Sequence, residues 1–142
     1  MFCQRATTMG KVTVELHSIE GKQAALGIAG QHTVVVDRPE GSAGGRGIGF
    51  NGAQLLGLTI GGCFCNDLRY VAEEMGIQIQ SIAVSVELEL EGTPILTKAA
   101  KLEVQCTLED GSNPKELINR AKASCMASNS LSRGIPVEIL QN

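Results

Sequence analysis

Tryptophan is absent from this 142-residue sequence, aromatic residues make up only 3% of it, and histidine occurs twice. Proteins that grip single-stranded nucleic acid stack bases on rows of aromatic side chains, and no such platform is available here. Basic clusters are missing too. The 12 Lys and Arg residues are scattered among 15 Asp and Glu, for a net charge of -3, so there is no footprint for phosphate neutralisation. No apolar run approaches the roughly 18 residues that a membrane-spanning helix needs. Met1 to Lys11 carry Arg5 and Lys11 without the apolar stretch of a secretory signal. The expectation is a cytoplasmic protein with neither nucleic acid nor membrane as a partner. Five cysteines, an odd number at irregular spacing, fit a reducing compartment better than a disulfide framework.

What the sequence does hold is an ordinary globular composition, 43% apolar and 19% charged. Folding a chain of this length as one domain, 1–142, buries roughly two-thirds of its extended surface. Residues 11–17 alternate with period two, as a half-buried strand does, and 23–29 and 32–37 read as two more short strands of an antiparallel meander. Between Asp37 and Gly49 lie Pro39 and five glycines in nine residues, a mobile or tightly folded loop. It lacks the strand, GxGxxG and helix succession of a dinucleotide site. Asn51 is placed to cap a helix running to about Glu74, with Gly76 ending it. That helix is apolar almost all round, which predicts burial at the centre of the fold. Gly61 and Gly62 in its middle each cost about 1 kcal/mol of helix propensity, so a close approach by another backbone is expected. Two long alternating strands follow, joined at Gly92-Thr93-Pro94. Asn113-Pro114-Lys115-Glu116 then opens a second, shorter helix with an N-cap, a proline at its first position and a capping-box Glu. Pro136 to Leu140 reads as a last strand. The order implies an α+β fold with antiparallel sheet and helices packed on it.

The cysteines differ in their surroundings. Cys3 sits in the N-terminal tail, and Cys106 faces inward on an alternating strand, where a free thiol acts as a small hydrophobe. Cys63 and Cys65 lie about 200° apart on the central helix and cannot share a metal ion while it is intact. His17 and His32 both fall on predicted strands, so no zinc site of usual spacing is available. Cys63 shares its helical face with Thr59, Asn66, Asp67 and Tyr70; Cys65 lies among Leu58, Gly61, Leu68 and Ala72. Cys125 falls at i+8 from Leu117 on the second helix. Chemistry alone leaves Cys63 and Cys125 open between inert core thiols and a reversible disulfide pair, since spacing does not show that they meet.

Two segments carry a resemblance. Gly49 to Phe64 (GFNGAQLLGLTIGGCF) resembles the helix of the OsmC/Ohr family, whose pattern is G-T-N-P-E-E-L, six or seven apolar or small residues, then A-C-F. Ala121 to Ser128 (AKASCMAS) resembles the second motif of that family, A-K-x-x-C-P-V-S. Length and element order agree over nearly the whole chain, the first fifty residues only loosely. The resemblance implies an intertwined homodimer with long central helices and active sites formed between subunits. It implies no cofactor. Its chemistry is attack by the Cys63 thiolate on an organic hydroperoxide, condensation of the resulting sulfenic acid with Cys125, and reduction of the disulfide by an external dithiol.

A thiol with an ordinary pKa of about 8.5 is mostly protonated at neutral pH, so the thiolate needs a cation. Arg38, in an Arg38-Pro39-Glu40-Gly41 stretch that looks like the R-x-E-G of the OsmC branch, is the first candidate. Arg46 is the second. Where the family motif has a carboxylate that helps hold the arginine, this chain has Ala53 followed by Gln54, and Gly52 replaces the motif proline. Two functions therefore stand side by side. One is a peroxiredoxin-like hydroperoxide reductase of antioxidant stress response. The other is a dimeric small-molecule-binding or stress protein of the same fold without peroxidase activity.

Overall fold

The computed structural model describes residues 10–141, so Cys3 lies outside the described residues. Two compact units divide at Leu56/Gly57. In the first, β1 (Glu15–Ser18), β2 (Ala25–Ala29) and β3 (His32–Val36) form the predicted antiparallel meander in that order. Gly30 has φ 59°, the positive value that the first residue of a two-residue hairpin turn requires, and Ala29 pairs with His32 across it. The first strand is shorter than the period-two pattern implies. Its ladder stops at Glu15↔Ile28 because β2 turns away at Gly30, which leaves Val12 and Val14 exposed.

The glycine-rich segment is tightly folded. Phe50 N–H bonds to Val35 O at 2.9 Å and Asp37 N–H to Phe50 O at 3.0 Å, tying both ends of the loop to β3. A Cβ on Gly49 would stand 2.3 Å from the Val35 carbonyl oxygen, and one on Gly45 would stand 2.5 Å from that of Pro39. Backbone packs where side chains would be, which accounts for the composition.

Helix α1 (Gly52–Met75) begins and ends as the sequence predicts. Asn51 Oδ1 accepts the Gln54 N–H at 2.9 Å while Gln54 Oε1 accepts the Asn51 N–H at 3.0 Å, a reciprocal capping box. At the other end Gly76, at φ 68°, donates to Glu73 O, and Ile77 N–H reaches Ala72 O at 2.9 Å, the paired bonds of a Schellman stop.

From Gly57 onward the second unit packs α1 on a long hairpin of β4 (Ile79–Glu91) and β5 (Leu96–Leu108). Ile82, Val84, Leu102 and Val104 of the hairpin pack against a core of Phe64, Leu68, Val71, Leu117 and Ala121. The opposite face carries Glu87, Glu89 and Glu103 to solvent. Gly61 meets the side chain of Val86, whose Cγ2 would stand 2.8 Å from an added Cβ. Among the described residues no second backbone comes within 4 Å of a Cβ added at Gly61, and a Cβ on Gly62 would meet nothing within that distance. In the single chain α1 is buried on one face; Leu58 and Tyr70 stay exposed on the other.

Helix α2 (Lys115–Ser124) places Leu117 and Ala121 in the core. Asn113 Oδ1 accepts the Lys115 N–H at 2.9 Å. Glu116 does not complete a capping box: it pairs with Arg120 one turn on, at 2.7 Å. A third helix, α3 (Met126–Arg133), follows after the single extended residue Cys125 and was not predicted. The strand expected at Pro136 to Leu140 does not form. The segment finds no ladder partner among the described residues and leaves Ile135, Val137, Ile139 and Leu140 exposed. The fold is α+β, with two antiparallel sheets and three helices among the described residues.

Candidate active site

Cys63 sits in the fourth turn of α1, half-buried, on the face that looks into the core of the second unit. Four residues on, the same helical face carries Asp67, whose side chain is fully buried. The Cys63 thiol donates to Asp67 Oδ2 at 3.7 Å. Cys125 approaches from the other side. The break between α2 and α3 gives it an extended backbone, φ −68° and ψ 112°, and buries it completely. The two sulfurs and a carboxylate oxygen of Asp67 all lie within 4.8 Å of one another. The two cysteines that sequence spacing could not join are therefore neighbours.

Burial pushes the Cys63 thiol above its ordinary range. The Ala127 backbone N–H, in the first turn of α3, works the other way by hydrogen bonding to the sulfur. Cys125 and the charge of Asp67 add to the rise. Phe64, the next residue, lines an apolar cleft of about 450 Å³ with Leu102, Val104, Ile118, Lys122 and Ser128. A half-buried thiol paired with a buried one beside an apolar cleft can form and break a disulfide, and the pair can hold a soft ligand.

In the first unit the Arg38 side chain is anchored, and that of Arg46 has no such anchor among the described residues. The Arg38 guanidinium donates to the Gln23 carbonyl and stands 3.4 Å from Asp37 Oδ1, while the Arg46 side chain is exposed. Asp37 is buried and accepts backbone N–H bonds from Arg38 at 2.8 Å, Arg46 at 3.0 Å and Ile48 at 3.1 Å. The Ile48 N–H is the largest of the causes that hold its carboxyl below the usual range. Thus the carboxylate paired with Arg38 is its own chain neighbour, and Gln54, beside the Ala53 position, serves as a helix cap.

The sequence profile of OsmC-like proteins matches residues 44–140, both cysteine motifs included. The chain belongs to the OsmC-like family. Solved structures agree on the fold. An OsmC-like protein from Mycoplasma pneumoniae has a TM-score of 0.72 at 20% identity, covering 88% of this chain and 89% of that one. For an organic hydroperoxide resistance protein OsmC from Legionella pneumophila, also described as a predicted redox protein, the TM-score is 0.56 at 25% identity, over 86% and 89%. An organic hydroperoxide resistance protein from Elizabethkingia anophelis gives 0.63 at 20% identity, over 91% and 92%. No curated protein sequence matches the chain.

Within this OsmC-like fold the remaining described cysteines stand apart from the cluster. Cys106 is a core residue of β5, and Cys65 is half-buried on another face of α1. Two carboxylates carry little signal in the sequence. Asp67 reads there only as one of the polar companions of Cys63, although its i+4 spacing signals that it faces the sulfur. Asp37, in the other unit, reads as the start of a loop, although an acid directly before the candidate arginine is visible.

Proposed function

We propose that this OsmC-like protein reduces organic hydroperoxides through Cys63 and Cys125. The observation that carries this reading is the approach of the two sulfurs to within 4.8 Å of each other across α1 and the α2–α3 break. The Cys63 thiolate attacks the outer peroxide oxygen and the O–O bond breaks. The inner oxygen leaves as the alcohol after taking a proton, and Cys63 becomes a sulfenic acid. The Cys125 thiol then displaces water from that sulfenic acid to give the disulfide. An external dithiol returns both residues to thiols by exchange, ending as a disulfide itself.

The thiolate needs help. Among the groups of residues 57–141 that act on Cys63, the charges of Asp67 and Cys125 both disfavour it. Arg38 supplies the positive charge in this reading, with Arg46 as the alternative. The anchoring of Arg38 by Asp37 supports that choice, since a guanidinium held in place is preorganised for its task. The protein acts in the cytoplasm as a homodimer, one OsmC-like domain per chain. The exposed apolar residues Leu58 and Tyr70 of α1 and Ile135, Val137, Ile139 and Leu140 of the C-terminal segment support a self-complementary interface. Sedimentation should give about twice the 14.9 kDa chain mass.

A second reading is favoured by the raised Cys63 thiol and the 450 Å³ apolar cleft: a dimeric binder of small apolar molecules without turnover. Consumption of cumene hydroperoxide with dithiothreitol as reductant separates the two. The enzyme reading expects multiple turnovers that Cys63→Ser abolishes. Absence of turnover in the wild type, with cumyl alcohol still bound, would establish the binder.

A further inference from the structure

We propose that the reduced Cys63, Asp67 and Cys125 together form a binding site for a thiophilic divalent cation, Zn²⁺ or Cd²⁺. The sequence alone offers no zinc site of usual spacing, because Cys63 and Cys65 diverge on the helix and both histidines lie on strands. The fold supplies a different set of donors: two sulfurs and one carboxylate oxygen, all mutually within 4.8 Å. A tetrahedral ion with Zn–S of about 2.3 Å and Zn–O of about 2.0–2.2 Å needs its donors roughly 3.5–3.8 Å apart. The Cys63 Sγ to Asp67 Oδ2 distance is already 3.7 Å.

The donors are also rigidly presented. Cys63 and Asp67 lie at i and i+4 on a continuous helix, the spacing by which helices offer two ligands to one ion. Cys125 is fixed between two helices, and both Cys125 and Asp67 have no exposed surface. Ligands locked by packing bind with little reorganisation. Three protein donors leave the fourth position to water or a small ligand, the count found in open zinc sites. The donor set selects the class of ion: thiolates favour soft or borderline cations and discriminate against Mg²⁺ and Ca²⁺, which require oxygen cages.

Binding releases the thiol protons, so affinity rises with pH. The ion and the disulfide compete for the same two sulfurs. On the peroxidase reading, a hydroperoxide takes two electrons from the paired thiolates, two protons complete the alcohol and water, the S–S bond forms, and the cation leaves unchanged. That coupling rests on the proposed function; the binding itself does not.

Titration of reduced, metal-free protein with Cd²⁺ under argon tests the site. The expected result is a thiolate-to-cadmium absorption band that saturates at one ion per chain. Cys63→Ser, Cys125→Ser and Asp67→Asn should each weaken binding by at least about tenfold. Cys65→Ser and Cys106→Ser should bind as wild type does. Wild-type protein provides a readout independent of variant folding: stoichiometric Cd²⁺ should protect the half-buried Cys63 from iodoacetamide, mapped by peptide mass, and leave Cys65 labelling unchanged. Equal alkylation of Cys63 with and without Cd²⁺ would overturn the proposal. So would a binding isotherm that Cys63→Ser and Asp67→Asn leave untouched. Metal-free protein that binds Cd²⁺ as described but consumes no hydroperoxide would sink the peroxidase reading and leave this site standing; the reverse pair of results would do the opposite.

Discussion

Oxidation to a Cys63–Cys125 disulfide should make the chain harder to unfold, by an amount set mostly by how far apart the two residues lie in sequence. The cross-link closes a loop of about 62 residues, and the loss of unfolded-state entropy for that length corresponds to about 4 kcal/mol at 25 °C. Against this stands native-state strain. The sulfurs begin within 4.8 Å and must come to about 2.05 Å, so the α2–α3 break has to shift toward α1. A net gain of about 2–4 kcal/mol is expected. Because the chain has no Trp and one Tyr, far-UV circular dichroism is the suitable probe of a urea transition. With a slope of about 2 kcal/mol/M, the midpoint should rise by about 1–2 M, and the slope itself should fall as the cross-link compacts the unfolded chain. Cys125→Ser treated with the same peroxide should show no rise. An oxidised protein that carries the disulfide yet unfolds at the same or lower urea would refute the reasoning, because pairing the sulfurs would then have to pull α2 and α3 out of the core.

Two further outcomes follow from the charges. Asp37 has a folded pKa below its unfolded value of about 3.9, so its contribution to stability is complete above that value and is lost as pH falls through the lower, folded one. Urea midpoints should therefore decline below about pH 4, and Asp37→Asn should flatten that decline; an identical acid profile in the variant would disprove the role of the loop amides. If Arg38 favours the Cys63 thiolate, Arg38→Met should raise the iodoacetamide-labelling midpoint of Cys63, by about 1.4 kcal/mol for each pKa unit, and Arg46→Met should leave it in place. The opposite pattern would assign the task to Arg46, and no change in either would remove the arginine from the account.

Local signals were legible wherever the chain solves its problem locally. Asn51 with Gln54, and Gly76 with Ile77, mark the two ends of α1 in the sequence and make the bonds those residues imply. The β4–β5 alternation is equally plain, because one face packs on the core and the other meets water. Misreadings arose where a pattern depends on what lies alongside. Residues 11–14 and 136–140 alternate like strands, yet the described residues offer them no ladder, since β2 turns at Gly30 and nothing pairs with the C-terminal segment. Helix α3 was missed because Cys125 reads as the last turn of α2, whereas its extended backbone ends one helix and begins another. In the site, the motifs singled out Cys63 and Cys125 but gave no distance between them. Asp67 and Asp37 emerged only when helix phase and loop closure placed their carboxylates beside the sulfur and the guanidinium.

The central claim, that Cys63 is oxidised by a hydroperoxide and resolved by Cys125, is tested most directly by intact-mass analysis after one equivalent of cumene hydroperoxide, with remaining thiols alkylated and dimedone present. Wild-type chain should lose two alkylatable thiols and gain no dimedone adduct, the loss mapping to a peptide pair containing Cys63 and Cys125. Cys125→Ser should instead carry one dimedone adduct at Cys63, and Cys63→Ser should keep all its thiols. Full retention of thiols in the wild type, or loss that maps to Cys65 or Cys106, would contradict the account.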